Sequence, residues 1–184
     1  MLSEFISHGA LKSEEEHRRD ICMVGRWFHE RGFVAATDGN ISLRLGPNRV
    51  LTSPTGVSKG MMSPEELVIT DSTGNKISGR RNPSSELAMH LLIYRLRPDV
   101  NAVCHAHPIT ATGYASAGLA LNKALLSEAV MGLGSVPLAQ YGTPGTPELT
   151  DSIEPYVQSH DAILMANHGV VTYGADLLTA FYRM

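Results

Sequence analysis

Strand-like and helix-like segments alternate along this chain, with no repeat, low-complexity stretch or linker between them. That alternation points to one layered α/β domain. Ser13 and Glu16 form a capping-box pattern, Ile21, Val24 and Phe28 recur at helical spacing, and Gly32 is placed to stop that helix. Thr37-Asp38-Gly39-Asn40 is turn chemistry, and residues 41–45 alternate like a half-buried strand. Residues 49–52 form a second strand, closed by the turn Ser53-Pro54-Thr55-Gly56. Ser63-Pro64 starts a helix of one turn at most, because residues 67–70 read as strand; residues 71–75 form a hairpin-like loop.

In the second half, Pro83-Ser84-Ser85 opens a helix to about Leu96, with Leu87, Leu91 and Tyr94 on one face and Pro98 beyond its end. Residues 100–107 are strand-like, and a helix is expected over 109–117. Another strand is expected over 132–139, after a loop. Thr146-Pro147 begins a helix that Pro155 should end or kink. Residues 162–165 form a buried strand, 170–173 its return partner, and a helix starts after Ala175.

The chain's 184 residues can bury a substantial core without disulfides. A formal net charge of −3, with no lysine- or arginine-rich run, argues against a general nucleic-acid binder. Cys22 and Cys104 make no disulfide framework, which favours a reduced, intracellular setting. The N-terminus, 1–12, lacks the charged start and continuous apolar core of a signal peptide. No stretch approaches the roughly 20 apolar residues that span a bilayer. The expectation is a cytoplasmic protein with no membrane partner.

His105-Ala106-His107 is the strongest chemical signal. On a strand, residues two apart share a face, so two imidazoles project together from an otherwise apolar segment. Without a partner, two inward polar rings would be costly. His168, in Asn167-His168-Gly169, follows a four-residue apolar run and so sits at or just past a strand end, where ligands gather in α/β sheets. Taken alone it reads equally as a satisfied core histidine. With the pair it makes a three-histidine set that leaves one position open, the design of a catalytic zinc site. Of the others, His8, His17, His29 and His160 fall on helical or loop surfaces by pattern; so does His90, but it lies one helical turn after Glu86 and is placed to support the site. Cys104 should point away from His105, into the core.

Glu86, at the first turn of the Ser84-Ser85 helix, has two readings: an acid that favours the helix dipole, or a group that faces the metal. Ser84 and Ser85 are equally N-caps or, with the free amides, an anion site. The turns Gly39-Asn40 and Thr55-Gly56 could add donors around a phosphate.

In order, Asp38-Gly39-Asn40-Ile41-Ser42, Ser53-Pro54-Thr55-Gly56, Ser84-Ser85-Glu86 with His90, His105-Ala106-His107-Pro108, the run from Tyr141 to Thr146, and Asn167-His168-Gly169 resemble the class II aldolase/adducin-head family. The resemblance runs from the first helix to the last residue. It implies a single α/β/α domain over 1–184 with a largely antiparallel central sheet, in a homotetramer with active sites at subunit interfaces. It implies Zn²⁺ on His105, His107 and His168, replaceable by Mn²⁺, Co²⁺ or Fe²⁺, with Glu86 as the acid/base group and, without substrate, a further ligand. It also places Gly39, Asn40, Thr55, Gly56, Ser84 and Ser85 around a substrate phosphate. The implied reaction is reversible aldol cleavage of a small phosphorylated ketose through a metal-stabilised enediolate. Epimerase, dehydratase or decarboxylase chemistry on the same intermediate is the alternative, and a non-catalytic adducin-like assembly domain is the second. Two departures stand out. The segment 125–131 has no tyrosine where family aldolases carry a proton donor, and the family's C-terminal helix and tail are absent after Met184.

Overall fold

The computed structural model describes residues 12–124 and 126–184. The N-terminal stretch that holds His8, and Leu125 in the segment without tyrosine, lie outside the described residues. The chain runs α1 (Glu14–Glu30), β1 (Asn40–Gly46), β2 (Arg49–Thr52), one 3₁₀ turn (Pro64–Glu66), β3 (Val68–Thr70), β4 (Lys76–Ser78) and α2 (Leu87–Leu96). It continues with β5 (Ala102–Ala106), α3 (Ile109–Ser116), α4 (Ser127–Gly132), β6 (Leu138–Ala139), α5 (Pro147–Val157), β7 (Ala162–Met165), β8 (Gly169–Gly174) and α6 (Leu177–Tyr182). Ser13 caps α1 as its sequence predicts: its Oγ accepts from Glu16 N at 3.3 Å, and the Glu16 carboxylate accepts from Ser13 N at 2.7 Å.

The eight strands form one sheet in the order β4-β3-β2-β1-β5-β8-β7-β6. Neighbours are antiparallel except β6 and β7. Alternation along the strands sets the layers. Ile41, Leu43, Ala102, Cys104 and Ala106 pack with α1 and α6 on one face. Val103, Ile163, Met165, Val171 and Tyr173 pack with α2 and α5 on the other. A smaller cluster joins Ala162, Leu164 and Val170 to Ala115 of α3. This is the expected α/β/α architecture. Each buried Val, Leu, Ile or Met among these contributes about 1.5–3 kcal/mol on burial, so register is strongly specified. A slip of one residue in β5 would drive the His105 ring into the α1/α6 core and Cys104 out of it.

The structure departs from the sequence pattern in four places. α2 starts at Leu87, not at Ser84-Ser85, because Ser84 N bonds to Ser53 O at 3.2 Å and Pro83 bridges Pro54, which holds that stretch extended. The strand expected over 132–139 shrinks to β6, since only Leu138–Ala139 pairs with a strand, β7, and Val136 makes one isolated bridge to Leu121; α4 takes Gly132 and much of the loop expected before it. Pro155 neither ends nor interrupts α5, which closes two residues later; buried Ile153 and Val157 anchor its last turn, where one missing N–H matters least. β4 went unread because all three of its residues are exposed and it carries no burial pattern. No helix among the described residues is long and apolar enough to cross a membrane.

Candidate metal centre and anion cleft

β5 lies between β1 and β8, with His105 paired opposite Asn40 and Val171. Its ring is fully buried and its Nδ1 donates to Val170 O at 2.9 Å, which leaves Nε2 to face the site. His107 lies just past the strand end, tied through its backbone N to Phe33 O at 2.8 Å. Its Nε2 is 3.2 Å from His105 Nε2, while its Nδ1 is 3.7 Å from Asp38 Oδ2. His168 stands in the β7–β8 hairpin after Asn167, whose φ of 55° is left-handed, a conformation asparagine tolerates. Gly169 closes the approach: a Cβ there would lie 2.5 Å from His107 Cδ2 and 2.6 Å from Ala106 O. A side chain at this position would push β8 away from the imidazoles.

Glu86 is the N-cap residue of α2, yet its side chain makes no cap bond. It turns instead toward the histidines. Oε2 is 3.4 Å from His105 Nε2, and Oε1 is 3.2 Å from His168 Nε2. Oε1 is buried without a partner in hydrogen-bond geometry. The three histidines each offer one ligand atom, all within 4.8 Å of one another. Ligand atoms on about 2.0–2.1 Å bonds at tetrahedral angles lie about 3.3 Å apart, which matches the 3.2 Å His105–His107 contact and the 3.4 and 3.2 Å contacts of Glu86 with His105 and His168; the widest histidine spacing, up to 4.8 Å, is longer. Burial pushes His105 and His107 below the ordinary imidazole range, and Glu86 and Asp38 only partly oppose it. For the Glu86 carboxyl, burial pulls upward, but His168, His105 and Asn40 outweigh it and hold the group well below the usual range. Burial thus favours neutral rings at His105 and His107, the form that ligates a divalent cation, beside an ionised Glu86 carboxylate. The orphaned Oε1 and the converging Nε2 atoms therefore fit a bound metal.

A buried chain of donors ends on Glu86. Asn40 Nδ2 donates to Glu86 Oε2 at 2.8 Å. Asn40 Oδ1 meets His90 Nε2 at 2.5 Å, His90 Nδ1 meets Ser42 Oγ at 2.7 Å, and Ser42 Oγ meets Tyr94 Oη at 2.8 Å. Because the Asn40 oxygen must accept from His90 Nε2, His90 Nδ1 accepts from Ser42, and Ser42 accepts from Tyr94. Each proton then points toward the carboxylate. Burial keeps His90 neutral, pushed down to about 4 against the pull of Glu86. The supporting role expected for His90 thus has a geometric basis, and the ring is buried, not on a helix surface.

A cleft of about 320 Å³ opens beside the histidines and is lined by Gly39, Asn40, Thr55, Gly56, Ser84, Ser85 and Glu86, with His107 and His168. All the expected site residues except buried His105 reach it. Asn40 differs from the rest: its amide is committed at both ends to Glu86 and His90. Ser84 Oγ accepts from Glu86 N at 3.2 Å, so it supports the carboxylate's backbone. Thr37, Asp38, Pro54, Lys59 and Pro144 also line the cleft, and the sequence pattern assigns none of them a role there. Asp38, Pro54 and Pro144 lie inside the family motifs, but nothing local marks Lys59 as buried.

The sequence profile of the Class II Aldolase and Adducin N-terminal domain matches residues 19–184. The chain belongs to that family. As a class II aldolase family protein it is an enzyme of the lyase class, like its relatives. It is 38% identical over 161 residues to a 3-oxo-tetronate 4-phosphate decarboxylase of Haemophilus influenzae, covering 85% of this chain and 76% of that one. It is 35% identical over 160 residues to an L-fuculose phosphate aldolase of Methanococcus maripaludis, covering 87% and 86%. The crystal structure of YgbL from Escherichia coli superposes with a TM-score of 0.87 at 31% identity, over 94% of this chain and 85% of that one.

Proposed function

We propose that this class II aldolase family enzyme is a zinc-dependent lyase that reversibly cleaves a small phosphorylated ketose. The observation that carries the reading is the meeting of three histidine Nε2 atoms with the unpartnered Glu86 Oε1 at the wall of a polar cleft. His105, His107 and His168 would hold the ion, with Glu86 completing the set in the free enzyme; Mn²⁺, Co²⁺ or Fe²⁺ suits the same donors. When bound, the ion supplies a Lewis acid that stabilises negative charge on substrate oxygens. Glu86 carries the proton. Asn40 fixes Oε2, which leaves Oε1 as the atom free to take a proton from substrate or to return one to carbon after the C–C bond breaks. Thr55, Gly56, Ser84 and Ser85, with the backbone of Gly39 and Asn40, grip the phosphate and orient the bond that breaks.

Decarboxylation of a phosphorylated 3-oxo acid is the second reading. The Haemophilus influenzae relative bears that activity in its name. The segment 125–131 also lacks a tyrosine, and loss of CO₂ leaves no departing hydroxyl whose proton must be handled. Both reactions share one carbon protonation, by Glu86, and only the aldol cleavage also needs a hydroxyl proton removed. The deciding experiment incubates zinc-loaded enzyme with phosphorylated ketoses and with phosphorylated 3-oxo acids. Aldehyde release supports the first reading and CO₂ release the second; metal-loaded enzyme that consumes neither overturns both.

The assembly expected is a homotetramer with sites at subunit interfaces. Supporting it, Ile109, Leu126 and Met131 on and beside α3 and α4 are 83%, 66% and 87% exposed, far more than a lone chain gains from. Light scattering that finds only monomer at micromolar concentration would overturn this part.

A further inference from the structure

Lys59 is 1% exposed, yet it takes part in no ion pair among the described residues. Its Nζ donates to Thr37 O at 3.0 Å and to Val57 O at 2.6 Å. An ammonium has three donors, so one is unused. The two carbonyls belong to the two turns that frame the cleft: Thr37 precedes Asp38-Gly39-Asn40, and Val57 follows Thr55-Gly56. The backbone beneath is held by α1. A Cβ on Gly25 would lie 2.7 Å from Lys59 O, so only glycine lets the helix come this close.

Burying an ammonium costs several kcal/mol, and carbonyl dipoles repay only part of it. A stability role alone would be served by a neutral donor or an apolar side chain. The cleft that Lys59 lines has two carboxylates, Asp38 and Glu86, and no other lysine or arginine in its wall. Burial pushes the ammonium down to about 8, with Asp38 pulling upward, so it stays protonated at neutral pH.

We infer that Lys59 is the cationic element of the anion subsite, the residue that makes the cleft select a phosphate monoester over an uncharged sugar. This rests on the reading of the cleft as a phosphate-ester site. Its charge offsets the phosphate dianion, and its two backbone bonds hold the turns whose donors surround that group.

The probe is inorganic phosphate, titrated into zinc-loaded enzyme by calorimetry, with Lys59→Met and Lys59→Arg beside the natural chain. Loss of a charge-assisted contact should weaken phosphate binding about 10- to 100-fold in Lys59→Met, with zinc content unchanged, and Lys59→Arg should recover part of it. Carbon-13 labelling of the lysines gives a second measurement that needs no variant. The Lys59 Cε resonance should move on adding phosphate, while those of Lys12, Lys76 and Lys123 stay in place. An unmoved Lys59 signal, a natural chain that binds no phosphate, or wild-type affinity in Lys59→Met overturns the inference. The underlying reading fails separately: phosphate binding that depends on Lys59 in an enzyme that cleaves no sugar phosphate leaves this assignment standing and removes the proposed reaction.

Discussion

The histidine side of the cleft stands on the sheet, whereas the side lined by Thr55, Gly56 and Ser85 stands on turns. His105 is fully buried between two paired strands, with its Nδ1 tied to Val170 O. Glu86 is gripped by Asn40 and, behind it, by His90, Ser42 and Tyr94. On the other side Thr55, Gly56 and Ser85 are exposed, and Thr55 is fixed mainly by its backbone bond to Asn82 O at 3.1 Å. The contrast separates two tasks. Groups proposed to hold a metal and move protons are placed before substrate arrives, which removes reorganisation at the moment of reaction. Groups proposed to grip a phosphate keep spare donors, which that ligand would satisfy.

Breaking the rigid side should have the largest effect. His105→Ala removes a ligand atom and leaves a buried void, so metal content and turnover should vanish together; elemental analysis with a rate assay checks this. Zinc retained at wild-type stoichiometry would remove His105 from the ligand set. Next comes Glu86→Gln, which keeps shape and loses basicity. Metal content and folding should survive while turnover falls roughly 10²–10⁴-fold. Full activity on the true substrate would make Glu86 merely a helix-end charge.

The donor chain sharpens the comparison. His90→Phe strands Asn40 Oδ1 in the interior and leaves the Ser42 hydroxyl proton without its acceptor, which should cost about 1–3 kcal/mol in denaturant unfolding. Turnover should fall as well, by about tenfold, with KM nearly unchanged, because Glu86 is less well aimed. A loss of stability alone would reduce the chain to core packing. The smallest effect belongs to the turn side. Thr55→Ala should raise KM for a phosphorylated substrate by about 3- to 10-fold, with kcat and melting temperature close to wild type. If kcat falls as far as in the His90 variant, the division between a rigid and an adaptable side is wrong.

Residue pattern alone carried much of this. Period-two alternation around Cys104 and His105 assigned the two faces of β5, because side-chain direction on a strand is a local property. The apolar run before Asn167-His168-Gly169 placed His168 at a strand end for the same reason. Ser13 and Glu16 marked the start of α1, since a capping box is satisfied within four residues. Other features had no local signature. Exposed β4 shows no burial pattern, and α4 lies where a loop was expected.

Tertiary structure alone decided what these pieces do together. Only the pairing of β1, β5 and β8 and the packing of α2 across them brings Glu86 to the three imidazoles. That order depends on contacts between residues tens of positions apart, which no window of sequence encodes. The same packing commits the Asn40 amide to Glu86 and His90, although the turn that contains it offered a free phosphate donor. It also buries Lys59, although lysine is a residue type mostly found exposed, because α1 at Gly25 closes over its backbone and the carbonyls of Thr37 and Val57 receive its ammonium. Local sequence determines which way a side chain points; what stands in front of it is set by segments far away in the chain.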